Sequence, residues 1–171
     1  MKPIIFIFIV SSLFSRYVIA QDFYPLKRKS YHLNVAVDKK TTYEEDLNES
    51  PYVLPDLTAQ IYPGESIFIE IEQLNGVIKN VKAVAENKFP DKTITISFTQ
   101  SAKKKAHELM MLKIVNPFKY VLRYNTKIYL MQHKKWINTN VLPVPAGLSA
   151  FETWPDIITS IALADWSFDI K

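Results

Sequence analysis

Three histidines and four methionines are the residues of this chain that could bind a soft metal ion. The candidate ligands form two groups along the sequence, His107 with Met110 and Met131 with His133. Imidazole nitrogen and thioether sulfur are both ligands that copper(I) accepts, so a copper-binding protein is one hypothesis. Lys134 follows His133 directly, and a neighbouring positive charge disfavours the binding of a further cation. We therefore expect no cofactor and keep the copper site as an alternative.

A pair of carboxylates could support acid–base chemistry. Glu70 and Glu72 belong to an isoleucine-rich segment in which polar and apolar residues alternate. On a β-strand they would share one face, about 6.6–6.8 Å apart along the strand, which falls within the broad range used by inverting glycosidases. Any Glu-x-Glu on a strand meets this criterion. We predict instead that lysines such as Lys79 or Lys82 on a neighbouring strand pair with them.

Several common reaction centres lack the residues that they need. The chain has no cysteine, which excludes thiolate nucleophiles, disulfides and cysteine-ligated metal sites. Its only glycines are Gly64, Gly76 and Gly147. They are too far apart for a phosphate-binding loop or a dinucleotide-binding fingerprint, and no Gly-x-Ser-x-Gly nucleophile motif is present. We therefore predict that the protein is not an enzyme.

The segment from 136 to 155 is the most distinctive, because it combines aromatic residues with prolines. The candidate residues for binding a ligand or a partner are Trp136, Phe151, Glu152 and Trp154. The sequence predicts a loop over 143–155, stiffened by Pro143 and Pro145, that could present aromatic rings to a sugar or to a partner's side chain. The same rings could equally plug the open end of a β-sandwich. The sequence leaves these two interpretations open.

The first twenty residues have the pattern of a secretory signal peptide. Lys2 precedes an apolar run over 4–14, and Val18 and Ala20 provide residues suited to a cleavage site. The run is shorter than the roughly 20 residues of a membrane-spanning helix. We therefore expect a signal peptide over 1–20, a single domain over 21–171 and no integral membrane segment after cleavage. The expected compartment is the bacterial periplasm or the cell exterior.

Net charge gives little support for a nucleic-acid partner. The expected leader contains Lys2 and Arg16 and no acidic residue, so its removal lowers the formal charge from +4 to +2. The remaining lysines are scattered over separate polar segments, including the basic segment over 21–29 and the lysine run over 103–105. Such clusters are typical of solvated loops. We expect no nucleic-acid binding and a loose, polar segment over 21–29.

Alternation of apolar and polar residues dominates the rest of the chain and predicts an all-β fold. Eight or nine short antiparallel strands are expected, with turns at Pro63-Gly64 and Asn75-Gly76 and a solvated acidic loop over 43–48. Evenly spaced strands without convincing amphipathic helices favour a β-sandwich, and an immunoglobulin-like arrangement is the first choice. A small β-barrel is the alternative.

Together these features predict an exported, non-enzymatic β-sandwich that acts as a binding or interaction module. Its expected partner is a protein or a glycan of unknown identity. Two alternatives remain beside the copper-binding protein: a carbohydrate-binding module and a protease inhibitor, both using the loop over 143–155. Strand order, oligomeric state and the partner itself are not predictable from the sequence.

Overall fold

The computed structural model describes residues 25–170. The predicted signal peptide over 1–20 lies outside the described residues. Within 25–170 the chain is all-β and contains no helix, so no helix there is long and apolar enough to cross a membrane. The prediction of an all-β, antiparallel fold is therefore confirmed.

Thirteen strands are present in the described part of the chain, more than the eight or nine predicted. They are β1 (Lys27–Arg28), β2 (Tyr31–Ala36), β3 (Thr42–Leu47), β4 (Ser50–Pro51), β5 (Ala59–Ile61), β6 (Ser66–Leu74), β7 (Val77–Val84), β8 (Thr93–Lys103), β9 (Ala106–Val115), β10 (Val121–Leu130), β11 (Lys135–Thr139), β12 (Ser149–Trp154) and β13 (Ile158–Asp169). Most of the unpredicted strands have six residues or fewer, too short for an alternating pattern to stand out.

Two larger sheets share one hydrophobic core. One has four strands in the order β11-β10-β13-β5, and the other has five in the order β12-β9-β8-β6-β7. Alternate residues of both sheets enter a single buried cluster, to which the five-stranded sheet contributes Ile69 and Ile96 and the four-stranded sheet contributes Leu122 and Ile161. Two antiparallel sheets around a common core are consistent with the predicted β-sandwich.

The hairpin of β2 and β3 forms a separate two-stranded sheet with its own small core. Leu33, Val35 and Leu47 are buried there together with Ile157. The prediction of a solvated loop over 43–48 is wrong, because strand β3 covers most of this acidic segment. The sequence did not indicate this strand, because three consecutive acidic residues hide the alternation of the apolar residues around them.

The loop predicted over 143–155 is also shorter than expected. Its second half is β12, which pairs along its whole length with β9, from Ser149 opposite Val115 to Trp154 opposite Met110. Pro143 and Pro145 lack the amide hydrogen that sheet pairing needs, but both lie before this strand. Irregular backbone is therefore confined mainly to 140–148.

Residues 21–24 of the basic segment predicted to be loose lie outside the described residues, and the prediction is wrong at Arg28, whose side chain is buried. Its Nη2 donates a 2.6 Å hydrogen bond to the carbonyl oxygen of Gln60, and its Nη1 donates to the Ser50 hydroxyl at 2.8 Å. The guanidinium carbon also lies 4.6 Å from the ring centre of Tyr52 and 4.8 Å from that of Tyr62. These contacts fix β1 against the body of the domain.

Candidate functional site

The outer face of the four-stranded sheet carries a cavity, termed here the four-strand trough. Its volume is about 980 Å³, which is within the usual size range of ligand-binding sites. It extends from β11, across β10 and β13, to β5 and the segment that precedes β5. Three strand-to-strand steps of about 4.8 Å make this face roughly 14 Å wide.

Small residues on β13 form the floor of the trough. Ile161 and Leu163 point into the core and are fully buried, so the alternate residues Ala162 and Ala164 face outward. Ala162 stands between Lys127 of β10 and Gln60 of β5 in the sheet register. Two alanines flanked by longer side chains leave a depression along the middle of the sheet.

Trp136 forms one wall of the trough, as an aromatic side chain on the edge strand β11. It is 42% exposed, and its ring centre lies 5.4 Å from that of Tyr129, its register partner on β10. The two rings are inclined at 68°, an edge-to-face arrangement that is favourable for aromatic pairs. The contact holds the indole in one orientation while leaving much of it open to a ligand.

A β-bulge places a carboxylate at the end of the floor. The register between β10 and β13 shifts between Arg123 and Asn125, and Asp165 adopts a φ of 53°. Asp adopts a positive φ more readily than most residues with a side chain, and the bulge redirects its side chain relative to the regular strand. Here Asn125 Nδ2 donates a 2.8 Å hydrogen bond to Asp165 Oδ2, which fixes both side chains at the cavity.

The opposite wall is also held by hydrogen bonds. Gln60 Nε2 donates to the hydroxyl oxygen of Ser160 at 2.9 Å and to that of Tyr62 at 3.0 Å. Nearby, Asp56 Oδ1 accepts a 3.1 Å hydrogen bond from the backbone N–H of Thr58. This backbone hydrogen bond lowers the pKa of Asp56 below its usual value. The carboxylate is therefore ionised at neutral pH and accepts hydrogen bonds from its surroundings.

The structure separates the four predicted binding residues. Trp136 lies at the trough, whereas the other three lie on β12 in the other sheet. Because strand residues alternate between faces, Phe151 is 56% exposed on the outer face, with Lys113 Nζ 5.5 Å from its ring centre. Glu152 and Trp154 lie on the opposite face, where Trp154 packs against the main core. These residues do not form one continuous surface.

Two polar contacts tie the inner face of β12 to the segment before it. Glu152 Oε1 accepts a 2.7 Å hydrogen bond from the backbone N–H of Leu142, and Trp154 Nε1 donates to the Thr139 hydroxyl at 3.3 Å. Both contacts close the gap between the two sheets at the end of β11. These contacts agree with the interpretation in which Trp154 covers the open end of the two sheets.

The candidate copper ligands have different surroundings. Met110 is fully buried in the main core, and Met131 packs against the small core of the β2–β3 hairpin. His107 Nδ1 lies 2.9 Å from Gln100 Nε2, and its Nε2 lies 3.0 Å from the carbonyl oxygen of Pro155, so both ring nitrogens have hydrogen-bond partners. His133 is exposed in the turn after β10. Residues 25–170 contain no group of three histidine or acidic residues arranged to hold a metal ion.

Most residues that line the trough were not predicted from the sequence as binding residues, although one sequence pattern pointed to them. The segment Ile161-Ala162-Leu163-Ala164 alternates large and small apolar residues, and small residues on the outer face of a central strand indicate a depression there. Asn138 and Asn140 follow Trp136 at alternate positions and line the same cavity. The contribution of Gln60 and Asp56 depends on the pairing of β5 with β13, about 100 residues later, which no local pattern reveals.

A comparison of this chain with protein-family models, with curated proteins and with solved structures finds no match.

Proposed function

We propose that this protein is an exported, non-catalytic binding module that takes its ligand or partner in the four-strand trough. The observation that carries the proposal is a part of the outer sheet face that residues 25–170 leave open, together with polar side chains that have no partner there. The side chains of Lys127, Asn138 and Asn140 line the trough and form no hydrogen bond or ion pair with residues 25–170. Together with the exposed indole of Trp136, they offer both directional and stacking contacts to a bound molecule.

Binding without catalysis is favoured by the acidic residues of the trough. A general acid that works near neutral pH needs a raised pKa. The pKa of Asp56 is lowered by the Thr58 backbone hydrogen bond, so this carboxylate is a poor proton donor. Asp165 is engaged by the amide of Asn125, which suits an orienting role.

The fold that we propose is an immunoglobulin-like β-sandwich. Two antiparallel sheets of four and five strands around one core support it. Four consecutive strands, β6 to β9, lie in one sheet, which is a local departure from the immunoglobulin order, where no more than two consecutive strands share a sheet. Export to the periplasm or the cell exterior is supported by the leader-like sequence over 1–20.

The proposal is tested by filling the trough. Ala162→Trp places a large side chain on the floor, whereas Thr153→Trp adds the same side chain to the exposed face of β12 as a matched control. Purified wild-type protein and both variants are immobilised and exposed to fractionated cell-envelope polysaccharide, lipid and protein from the producing cells. We expect a component that binds the wild type and Thr153→Trp but not Ala162→Trp. Equal retention of every component by all three proteins would contradict the proposal.

A further inference from the structure

The chemistry of the four-strand trough points to one class of ligand. We propose that it binds a neutral oligosaccharide chain, an assignment that rests on the proposed function of the trough as a binding site. The argument uses three properties of the lining: the aromatic wall, the side-chain amides and the balance of charges.

The aromatic wall suits the apolar face of a sugar ring. The π-face of an indole is electronegative, and the C–H groups on one face of a pyranose carry a small positive charge. Trp136 is half-exposed and oriented by its edge-to-face contact with Tyr129. A sugar ring can therefore stack on a preoriented surface, with little loss of side-chain entropy on binding.

The polar groups suit hydroxyl groups. Asn125, Asn138 and Asn140 line the trough with amides, each of which offers both hydrogen-bond donors and an acceptor. Adjacent hydroxyls of a sugar also donate and accept, so one amide can bind two of them at once. Asp56 and Asp165 add acceptors to the lining.

The charges and the backbone disfavour the other ligand classes. Lys127 is the one basic residue lining the trough, against two carboxylates, and a phosphate or sulfate polymer needs the opposite balance. An extended peptide would need free backbone groups, but β10 and β13 at the floor are each paired on both sides. A wholly apolar ligand would leave the amides and carboxylates buried and unpaired, which is unfavourable.

The experiment measures binding of defined oligosaccharides by isothermal titration calorimetry. The neutral probes are cellohexaose, chitohexaose and mannohexaose, and the acidic probes are hexagalacturonate and a heparin hexasaccharide. The variants are Trp136→Ala, which removes the stacking surface, and Trp136→Phe, which keeps a smaller one. Phe151→Ala removes a comparably exposed ring from the other sheet and is the matched control. Thermal unfolding of each variant confirms that it is folded.

We expect at least one neutral probe to bind the wild type, with the dissociation constant rising about tenfold or more in Trp136→Ala, less in Trp136→Phe and not at all in Phe151→Ala. Neutral probes that do not bind, acidic probes that bind more tightly, or equal binding by wild type and Trp136→Ala would overturn the assignment. If no neutral probe binds, but a cell-envelope component is retained by the wild type and not by Ala162→Trp, the oligosaccharide assignment fails and the binding function stands. If no neutral probe binds and Ala162→Trp retains every component that the wild type retains, both the oligosaccharide assignment and the proposed binding function fail.

Discussion

The guanidinium of Arg28 and the carboxylate of Glu65 form an ion pair inside the protein, with Nε and Oε1 3.0 Å apart. Only 1% of the Arg28 side chain and 11% of that of Glu65 are exposed. Glu65 Oε2 also accepts a 2.8 Å hydrogen bond from the backbone N–H of Tyr62. The pair joins strand β1 to the turn before β6.

Removing one partner of this pair is expected to destabilise the domain strongly. Glu65→Ala leaves the guanidinium of Arg28 buried without its counter-charge, and such a loss costs about 3–5 kcal/mol of unfolding free energy. The matched control is Glu49→Ala, which breaks the exposed ion pair with Lys27 and should cost at most about 1 kcal/mol. Urea denaturation of both variants measures the difference. Similar losses in the two variants would show that the Arg28 pair is not the dominant contact.

A buried hydroxyl without a partner predicts a stabilising substitution. Thr126 is buried, and its Oγ1 has no hydrogen-bond partner among the described residues. Thr126→Val keeps the shape and removes the unsatisfied group, so the free energy of unfolding should rise by about 1 kcal/mol. In the control, Thr93→Val removes a 2.8 Å hydrogen bond to the Phe89 carbonyl oxygen and should lower it by a similar amount. A loss of stability in Thr126→Val would contradict the assignment of an unpaired hydroxyl.

The β2–β3 hairpin is expected to respond to pH through His32. Asp46 Oδ1 lies 2.8 Å from His32 Nδ1, and this hydrogen bond raises the pKa of His32 above its usual value. Because the folded hairpin favours protonation, its stabilising contribution is complete below about pH 6.5 and is lost as the pH rises through the raised pKa. Titration of the His32 ring signals by NMR checks this. Asp46→Asn should lower the pKa towards that of a free histidine, and an unchanged pKa would refute the pairing.

The two aromatic residues of β12 should differ in their effect on stability. Trp154 packs against the main core and bonds to Thr139, so Trp154→Ala should cost about 2–3 kcal/mol, somewhat less than the loss of a fully buried tryptophan. Phe151 is exposed, and Phe151→Ala should change stability by no more than about 0.5 kcal/mol. Chemical denaturation of the two variants measures this contrast. A small effect of Trp154→Ala would favour the alternative in which this ring is kept for a partner.

Local patterns predicted the features that depend on neighbouring residues. The turn at Asn75-Gly76 joins β6 and β7 as expected, with positive φ values of 52° and 79°. Lys82 lies 3.1 Å from Glu72 and 3.4 Å from Glu70, which confirms the predicted pairing across those strands. Both features follow from short sequence separations and from the alternation of faces.

Features that depend on distant segments were not predictable in the same way. The burial of Arg28 requires Ser50, Gln60 and Glu65 to surround it, and each of these contributions comes from a different turn or strand. Trp136 was selected as a binding candidate for its type, but its neighbours in the trough come from β5, β10 and β13. Residue type therefore drew attention to one wall of the trough, while the sheet order determined which other residues line it; a role of Trp136 in binding stays a prediction.

The position of β13 has a consequence for the order in which the chain can fold. This strand, Ile158–Asp169, follows the other twelve strands of residues 25–170, yet it lies in the interior of its sheet between β10 and β5. Its pairing with β5 joins residues about 100 positions apart, and contacts of such long range slow folding. A chain that has folded only as far as β12 therefore has no floor for its trough, and the four-stranded sheet is completed only when β13 pairs with both β10 and β5.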